Sequence, residues 1–205
     1  GRFIALFNDL GRFRRLMICI GVGLPVCYVA GLPIKFASNF GAALNIHDVS
    51  LPLAMITFYI SMSLSDLICN GISQMIKSRK KMFILYNFLN LFAVLLFTYY
   101  PPSNAFQYHF IYCPMLGFSL GYWALVVTNA AESFGTNLRA TVTTSVPNFI
   151  RSFFIVISIC FTALESRIGT IHAGGLIGLA CSSIALLATF SMKETFGRDL
   201  NFEEA

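Results

Sequence analysis

Six long apolar stretches separated by short polar connectors run through the chain, at about 16–38, 51–76, 82–100, 106–131, 140–164 and 172–192. Each reaches or approaches the ~20 residues that a helix rising ~1.5 Å per residue needs to cross ~30 Å of hydrocarbon. Only helices or closed barrels satisfy their backbone groups in lipid, and these stretches lack the strict alternation of barrel strands. The pattern predicts an all-α membrane protein. Its parts are a six-helix transmembrane bundle over 16–192, a leading amphipathic linker over 1–15 and a tail over 193–205.

The polar connectors set an expected orientation. Arg2, Arg12, Arg14 and Arg15 precede the first stretch, and Lys77, Arg79, Lys80 and Lys81 join the second to the third. Arg139 lies between the fourth and fifth, and Lys193 and Arg198 follow the sixth; the opposite connectors offer Arg167, with Lys35 near that edge. By the positive-inside rule both termini are expected in the cytoplasm. The expected location is thus integral and multi-pass, in a plasma membrane or a bacterial inner membrane.

Composition agrees: 57% of residues are hydrophobic and 11% charged, where a soluble domain carries about 25% charged residues. Mean hydropathy is +0.73. The net charge of +5 reads as a topology signal. The basic residues are spread among membrane-flanking loops with no soluble domain to form a groove, so the lipid bilayer is an expected partner and nucleic acid is not.

Charges inside a span are costly, by roughly 2.5 to 3.5 kcal/mol on insertion scales, and need a partner, water or a function. Asp66 falls about 15 Å from the basic end of the second stretch, and Arg151 about 16 Å into the fifth. The two helices run in opposite directions, so both charges reach the same level and are expected to face one polar interior. Two readings are open there: a static ion pair, or a site where Asp66 exchanges a proton or contacts substrate and Arg151 attracts an anionic group. Lys35 is expected to snorkel to the interface.

Gly21, Gly23, Pro25, Gly31 and Pro33 punctuate the first stretch and predict a bent helix, since proline removes a backbone donor. Gly117, Ser119 and Gly121 mark the fourth stretch beside Tyr122 and Trp123. Gly174, Gly178 and Ser182 give the sixth a small-residue seam for close packing.

Phe3, Leu6, Phe7, Leu10 and Phe13 recur at helical spacing beside charged residues, as in an ordinary amphipathic linker or a helix lying in the interface. The opening Gly1-Arg2-Phe3 and its mixed polar continuation do not have the pattern of a cleavable signal peptide. The six cysteines fall inside predicted helices without CxxC spacing and read as packing residues. His47, His109 and His172 lie apart without ligand spacing. No metal or cofactor is expected, and the chain does not read as an enzyme.

Three connectors carry more specific patterns. They read Gly71-Ile72-Ser73-Gln74-Met75-Ile76-Lys77-Ser78-Arg79-Lys80-Lys81, Glu132-Ser133-Phe134-Gly135-Thr136-Asn137-Leu138-Arg139 and Lys193-Glu194-Thr195-Phe196-Gly197-Arg198-Asp199-Leu200. In order and along the whole chain they resemble the C-terminal half of a major facilitator superfamily transporter. The nearest likeness is to the sugar porter, organic ion transporter and metabolite:proton symporter branches, with patterns G-x-x-x-D-R-x-G-R-R, E-x-x-P-T-x-x-R and P-E-T-x-G. The chain departs from these at Met75, Ile76, Ser78, Gly135 and Lys193.

The resemblance implies half of a secondary transporter for a small metabolite, an organic anion or a sugar-like solute, with proton coupling through Asp66 as one option. Such a half works by alternating access against an N-terminal six-helix half, in the same chain or supplied by a partner. It further implies that Arg79, Lys80, Glu132, Arg139 and Glu194 form a gating network at the cytoplasmic face. On helices that line the cavity in that family, Tyr28, Tyr59, Tyr122, Trp123, Asn129 and Asn148 join Asp66 and Arg151 as candidates for the substrate pathway.

Two alternatives stand beside this. A non-transporting half-transporter, whether remnant or partner subunit, fits the same pattern. Gly117-Phe118-Ser119-Leu120-Gly121 with His172 and Gly175 also resemble a rhomboid intramembrane serine protease. There Ser119 lies ~18 Å into its helix and His172 at the outer edge, whereas a catalytic pair must approach within ~3 Å.

Overall fold

The computed structural model describes residues 3–198 and 201–204. Arg2 of the leading segment and Asp199 and Leu200 of the tail motif lie outside the described residues. Six helices are long and apolar enough to cross a membrane: α1 (Leu10–Ile34), α2 (Leu51–Met75), α3 (Arg79–Tyr99), α4 (Ala105–Ser133), α5 (Thr136–Ile168) and α6 (Thr170–Ser191). A turn of 3-10 helix, Phe3–Leu6, precedes them, and a short helix, Ala37–Ala43, follows α1.

Local chemistry explains several of the helix ends. Asp9 caps α1, its Oδ2 accepting from the Arg12 amide at 2.8 Å, so the helix begins six residues before the apolar stretch does. Ser78 caps α3 by accepting from the Lys81 amide at 3.2 Å. The 33-residue α5 ends at Gly169, whose φ of 80° and ψ of 161° lie in a region essentially reserved for glycine. The punctuated end of α1 is a five-residue π turn, Ala30–Ile34, containing Pro33. Such a widened turn is the usual accommodation for an interrupted hydrogen-bond ladder.

α1 is the most enclosed helix, with 83% of its apolar stretch buried, against 17% for α2 and α5. It packs on α6, α5 and the basic-end half of α4, while α3 packs on α6 and α2 on the other half of α4. The bundle therefore wraps α1 and presents α2 and α5 on its outside.

Hydrogen bonds tie the core together where small polar residues face one another. Asn90 Nδ2 donates to Ser119 Oγ at 3.1 Å and its Oδ1 accepts from Ser182 Oγ at 3.0 Å, linking α3, α4 and α6. Asn87 Nδ2 donates to Thr189 Oγ1 at 3.1 Å, and Asn87 Oδ1 accepts from Tyr122 at 3.2 Å. All are buried, and burial without such partners would cost roughly 1 to 3 kcal/mol per group.

The fourth span is broken. It comprises a short turn, a π turn over Tyr108–Tyr112, a helix over Cys113–Phe118 and a second helix over Trp123–Ser133. The break follows from close packing. A side chain at Gly117 would collide with the Phe58 carbonyl of α2, and one at Gly121 with Ser65. Ser65 Oγ donates to the Phe118 carbonyl at 2.7 Å, which supports the chain as it leaves the first half-helix.

Candidate functional site: an intramembrane cavity and a basic-end latch

A cavity of about 420 Å³ opens between α1, α2, the break in α4 and α5. Cys27, Gly31 and Lys35 line it from α1, Tyr59, Ser63 and Asp66 from α2, Trp123 from α4, and Arg151 and Phe154 from α5. Four of the expected pathway residues, Asp66, Arg151, Tyr59 and Trp123, thus meet in one cavity. Lys35 also lines the cavity, exposed and with its Nζ 4.9 Å from the centre of the Phe154 ring.

Asp66 and Arg151 share the cavity without pairing. Among the described residues no ion pair joins them. Both Asp66 carboxylate oxygens instead accept from the backbone amide of Ala124 at 3.2 Å, and Asn70 Nδ2 donates to Oδ1 at 3.3 Å. Ala124 is the second residue of the half-helix that restarts at Trp123, where free N–H groups and the helix dipole favour a negative charge. The physical reason for the missing ion pair is therefore local: the break in α4 supplies Asp66 with a partner of its own. The Arg151 guanidinium lies over the Trp123 ring at 5.7 Å, a cation–π placement that leaves its N–H groups without a described acceptor. It is exposed, midway along α5.

The other expected pathway residues sit elsewhere. Tyr28 and Tyr122 are 1% and 0% exposed and belong to the packed core. The Tyr122 hydroxyl donates to the Val22 carbonyl and to Asn87, and the Tyr28 ring fills the space left open at Gly178. The Tyr122 ring favours burial because its hydroxyl has these partners. Asn129 is buried at the basic end, where its Oδ1 accepts from Thr195 at 3.1 Å. Asn148 is on the exposed face of α5 and donates to its own helix, at the Thr144 carbonyl.

The five residues expected at the gate all lie at the basic end, where bonds of Arg79, Lys80, Glu132 and Glu194 join three connectors. Arg79 reaches Glu132 as a fork, NH2 to Oε1 at 3.1 Å and Nε to Oε2 at 3.4 Å, with both side chains largely buried. Its NH1 donates to Ser73 at 3.0 Å, and its guanidinium covers the Phe196 ring at 5.0 Å. Glu194 is held mainly by backbone amides. Its carboxylate accepts from the Arg79 and Lys80 amides at 2.9 and 3.2 Å and from the Ser78 hydroxyl, which places a negative charge on the N-terminus of α3. Burial pushes the Glu194 pKa up, but the Ser78 hydroxyl and the amides of Phe196, Arg79 and Lys80 outweigh it and hold the group below its ordinary value.

Lys80 and Arg139 cap helix C-termini. Lys80 Nζ donates to the Phe190 and Met192 carbonyls at the end of α6, at 2.8 and 2.7 Å. Arg139 Nε donates to the Ala131 carbonyl near the end of α4, at 3.0 Å. Thr195, which sequence reasoning passed over, connects the set: its hydroxyl reaches Glu132 Oε2 at 2.7 Å.

Ser119 and His172 form no dyad. The Ser119 hydroxyl is buried, donates to the Leu116 carbonyl at 2.8 Å and accepts from Asn90, while His172 is exposed near the start of α6. Groups of His, Cys, Asp and Glu able to hold a metal ion are absent among the described residues. No protein-family model matches this chain, and no curated protein or solved structure matches it either.

Proposed function

We propose that this chain is half of a secondary transporter that moves a small organic anion or sugar-like metabolite by alternating access against a second six-helix half. The observation that carries the reading is the cavity in which Asp66, Arg151 and Lys35 meet beside the broken α4. Helices interrupted at mid-membrane, with half-helix termini and charged side chains facing a cavity, are the architecture of substrate and ion sites in such transporters. Arg151 has room to receive a carboxylate, and Lys35 adds a second positive charge. Asp66 already holds the Ala124 amide, so proton exchange there would couple directly to the half-helix it caps.

The latch fits the same reading. A forked Arg79–Glu132 pair and the Glu194 cap join α2, α3, α4 and the tail at the end that the positive-inside rule assigns to the cytoplasm. Breaking and remaking a set of this kind needs to bias a two-state equilibrium by only a few kcal/mol to gate access.

The outer faces of α2 and α5 point to a partner. Arg151 is exposed midway along α5, where lipid contact would cost roughly 2.5 to 3.5 kcal/mol; a second helical half or a water-filled cavity removes that cost. The same observation serves the alternative, a partner subunit without transport of its own.

The test is ligand binding to the purified chain and uptake by cells expressing it with surface expression controlled, for a panel of mono- and dicarboxylates and neutral sugars. Wild type should bind at least one class, Arg151→Gln should lose it, and Arg151→Lys should retain part of it. Equal binding by wild type, Asp66→Asn and Arg151→Gln would sink the proposal. Binding without uptake would favour the partner-subunit reading.

A further inference from the structure

A second cavity, also about 420 Å³, opens at the basic end in the wedge between the start of α1 and the ends of α4 and α6. Antiparallel packing creates it: α1 begins at the level where α4 and α6 finish. Arg14 and Arg15 enter from α1, Lys193 and Arg198 from the tail, and Asn129 from α4; among the described residues the lining includes no Asp or Glu.

The ordinary explanation for such cations is that they cap helix ends or mark topology. Here the caps are already supplied. Arg15 NH1 donates to the Ser133 carbonyl at 2.9 Å and NH2 to Glu204 at 2.7 Å. Arg139 holds the Ala131 carbonyl, and Lys80 holds those of Phe190 and Met192. Arg14, Lys193 and Arg198 are exposed, and their side chains make no ion pair or hydrogen bond among the described residues.

The wall of the cavity adds a donor. Asn129 is 1% exposed; its Oδ1 shares the Thr195 hydroxyl proton with Glu132, at 3.1 against 2.7 Å, and its amide nitrogen has the Cys19 sulfur, 3.7 Å away, as its acceptor. Sulfur is a weak acceptor, so this buried amide retains donor capacity toward the cavity. Three uncommitted cations and a neutral donor outnumber the carboxylates nearby, since Glu204 is held by Arg15 and Glu132 by Thr195 and Arg79, and they define a site for a multiply charged oxyanion.

We propose that this cavity binds a phosphate-bearing anion, either the headgroup of an anionic lipid or a soluble phosphate ester. Ile18 and Met192 give the cavity an apolar side that acyl chains would use and a bare phosphate would not. The site is separate from the intramembrane cavity, so the proposal does not depend on transport.

The experiment uses the purified full chain in neutral detergent, with dioctanoyl phosphatidylglycerol, dioctanoyl phosphatidylcholine and inorganic phosphate as probes in native mass spectrometry. Phosphatidylglycerol should bind at least about tenfold more tightly than phosphatidylcholine, by the roughly 1 kcal/mol that each basic residue contributes toward an anionic headgroup. On the same basis each cation removed should weaken binding about fivefold, and R14Q/K193Q/R198Q by about a hundredfold. The control K77Q/K81Q removes two charges from the same end, outside the cavity, and should leave binding within about twofold.

Displacement of the lipid by inorganic phosphate assigns the site to soluble phosphate esters. Selective lipid binding that phosphate does not displace assigns it to the membrane. Equal retention of the two lipids with no phosphate bound overturns the proposal, as does an equal loss in K77Q/K81Q. Should the triple variant fail to fold, the single variants R14Q and R198Q alter exposed side chains and carry the test; unchanged binding in both overturns it.

Discussion

Arg151 and Glu194 show how differently two charges are held in one protein. Arg151 is balanced by an aromatic face and open space, so its contribution to stability is small and, on the proposed reading, its contribution falls on the ligand. Arg151→Gln should therefore change the thermal midpoint little while weakening binding of a carboxylate ligand by about tenfold or more, as expected for one lost charge-assisted hydrogen bond; a thermal melt checks the first effect and a calorimetric titration the second. Glu194 is the reverse case, a carboxylate saturated with donors. Its pKa is depressed in the folded state, so its stabilising contribution is complete above the ordinary Glu range and is lost as pH falls through the lowered value. Glu194→Gln should cost about 1 kcal/mol at neutral pH, the usual value of a helix cap. The gap in melting temperature between wild type and variant should close in acid. A gap that widens in acid would contradict the assignment.

Among the elements, α4 holds the strongest link between sequence and function. Gly117 and Gly121 were legible as small residues beside the aromatic pair Tyr122 and Trp123, in core or in cavity wall, but the break itself was not, because it depends on how closely α2 approaches. With Phe58 and Ser65 of α2 against those two positions, an added side chain must push the helices apart. Gly121→Val should destabilise the bundle by about 1 to 3 kcal/mol, the range for overpacking a core, and should lower ligand affinity by displacing Ala124 from Asp66. A thermal melt and a binding isotherm on the same sample measure the two effects together. At the far end of α5, Gly169→Ala should cost about 1 to 3 kcal/mol through backbone strain alone and leave ligand affinity unchanged.

The whole molecule is a bundle wrapped around α1, open on one side and latched at the basic end. The Arg79–Glu132 fork is largely buried, so removing one partner leaves an uncompensated charge. Glu132→Gln should destabilise by about 3 to 5 kcal/mol, and the Arg79→Gln, Glu132→Gln double variant by less than the sum of the two. Additive losses in chemical denaturation would show that the two residues act separately. The hydrophobic pattern by itself determined six helices of spanning length, because a membrane leaves a backbone few other ways to satisfy its polar groups. It also located Asp66 and Arg151 at a common depth, since rise per residue converts sequence position to height. Which charges touch was decided only by the fold. Rotation about each helix axis and the break in α4 are set by packing between segments far apart in sequence. They turned Asp66 to a backbone amide and Tyr28 and Tyr122 into the core, and set Lys35 at the cavity wall. They also left Arg14, Lys193 and Arg198 around a hollow that no single stretch of sequence contains.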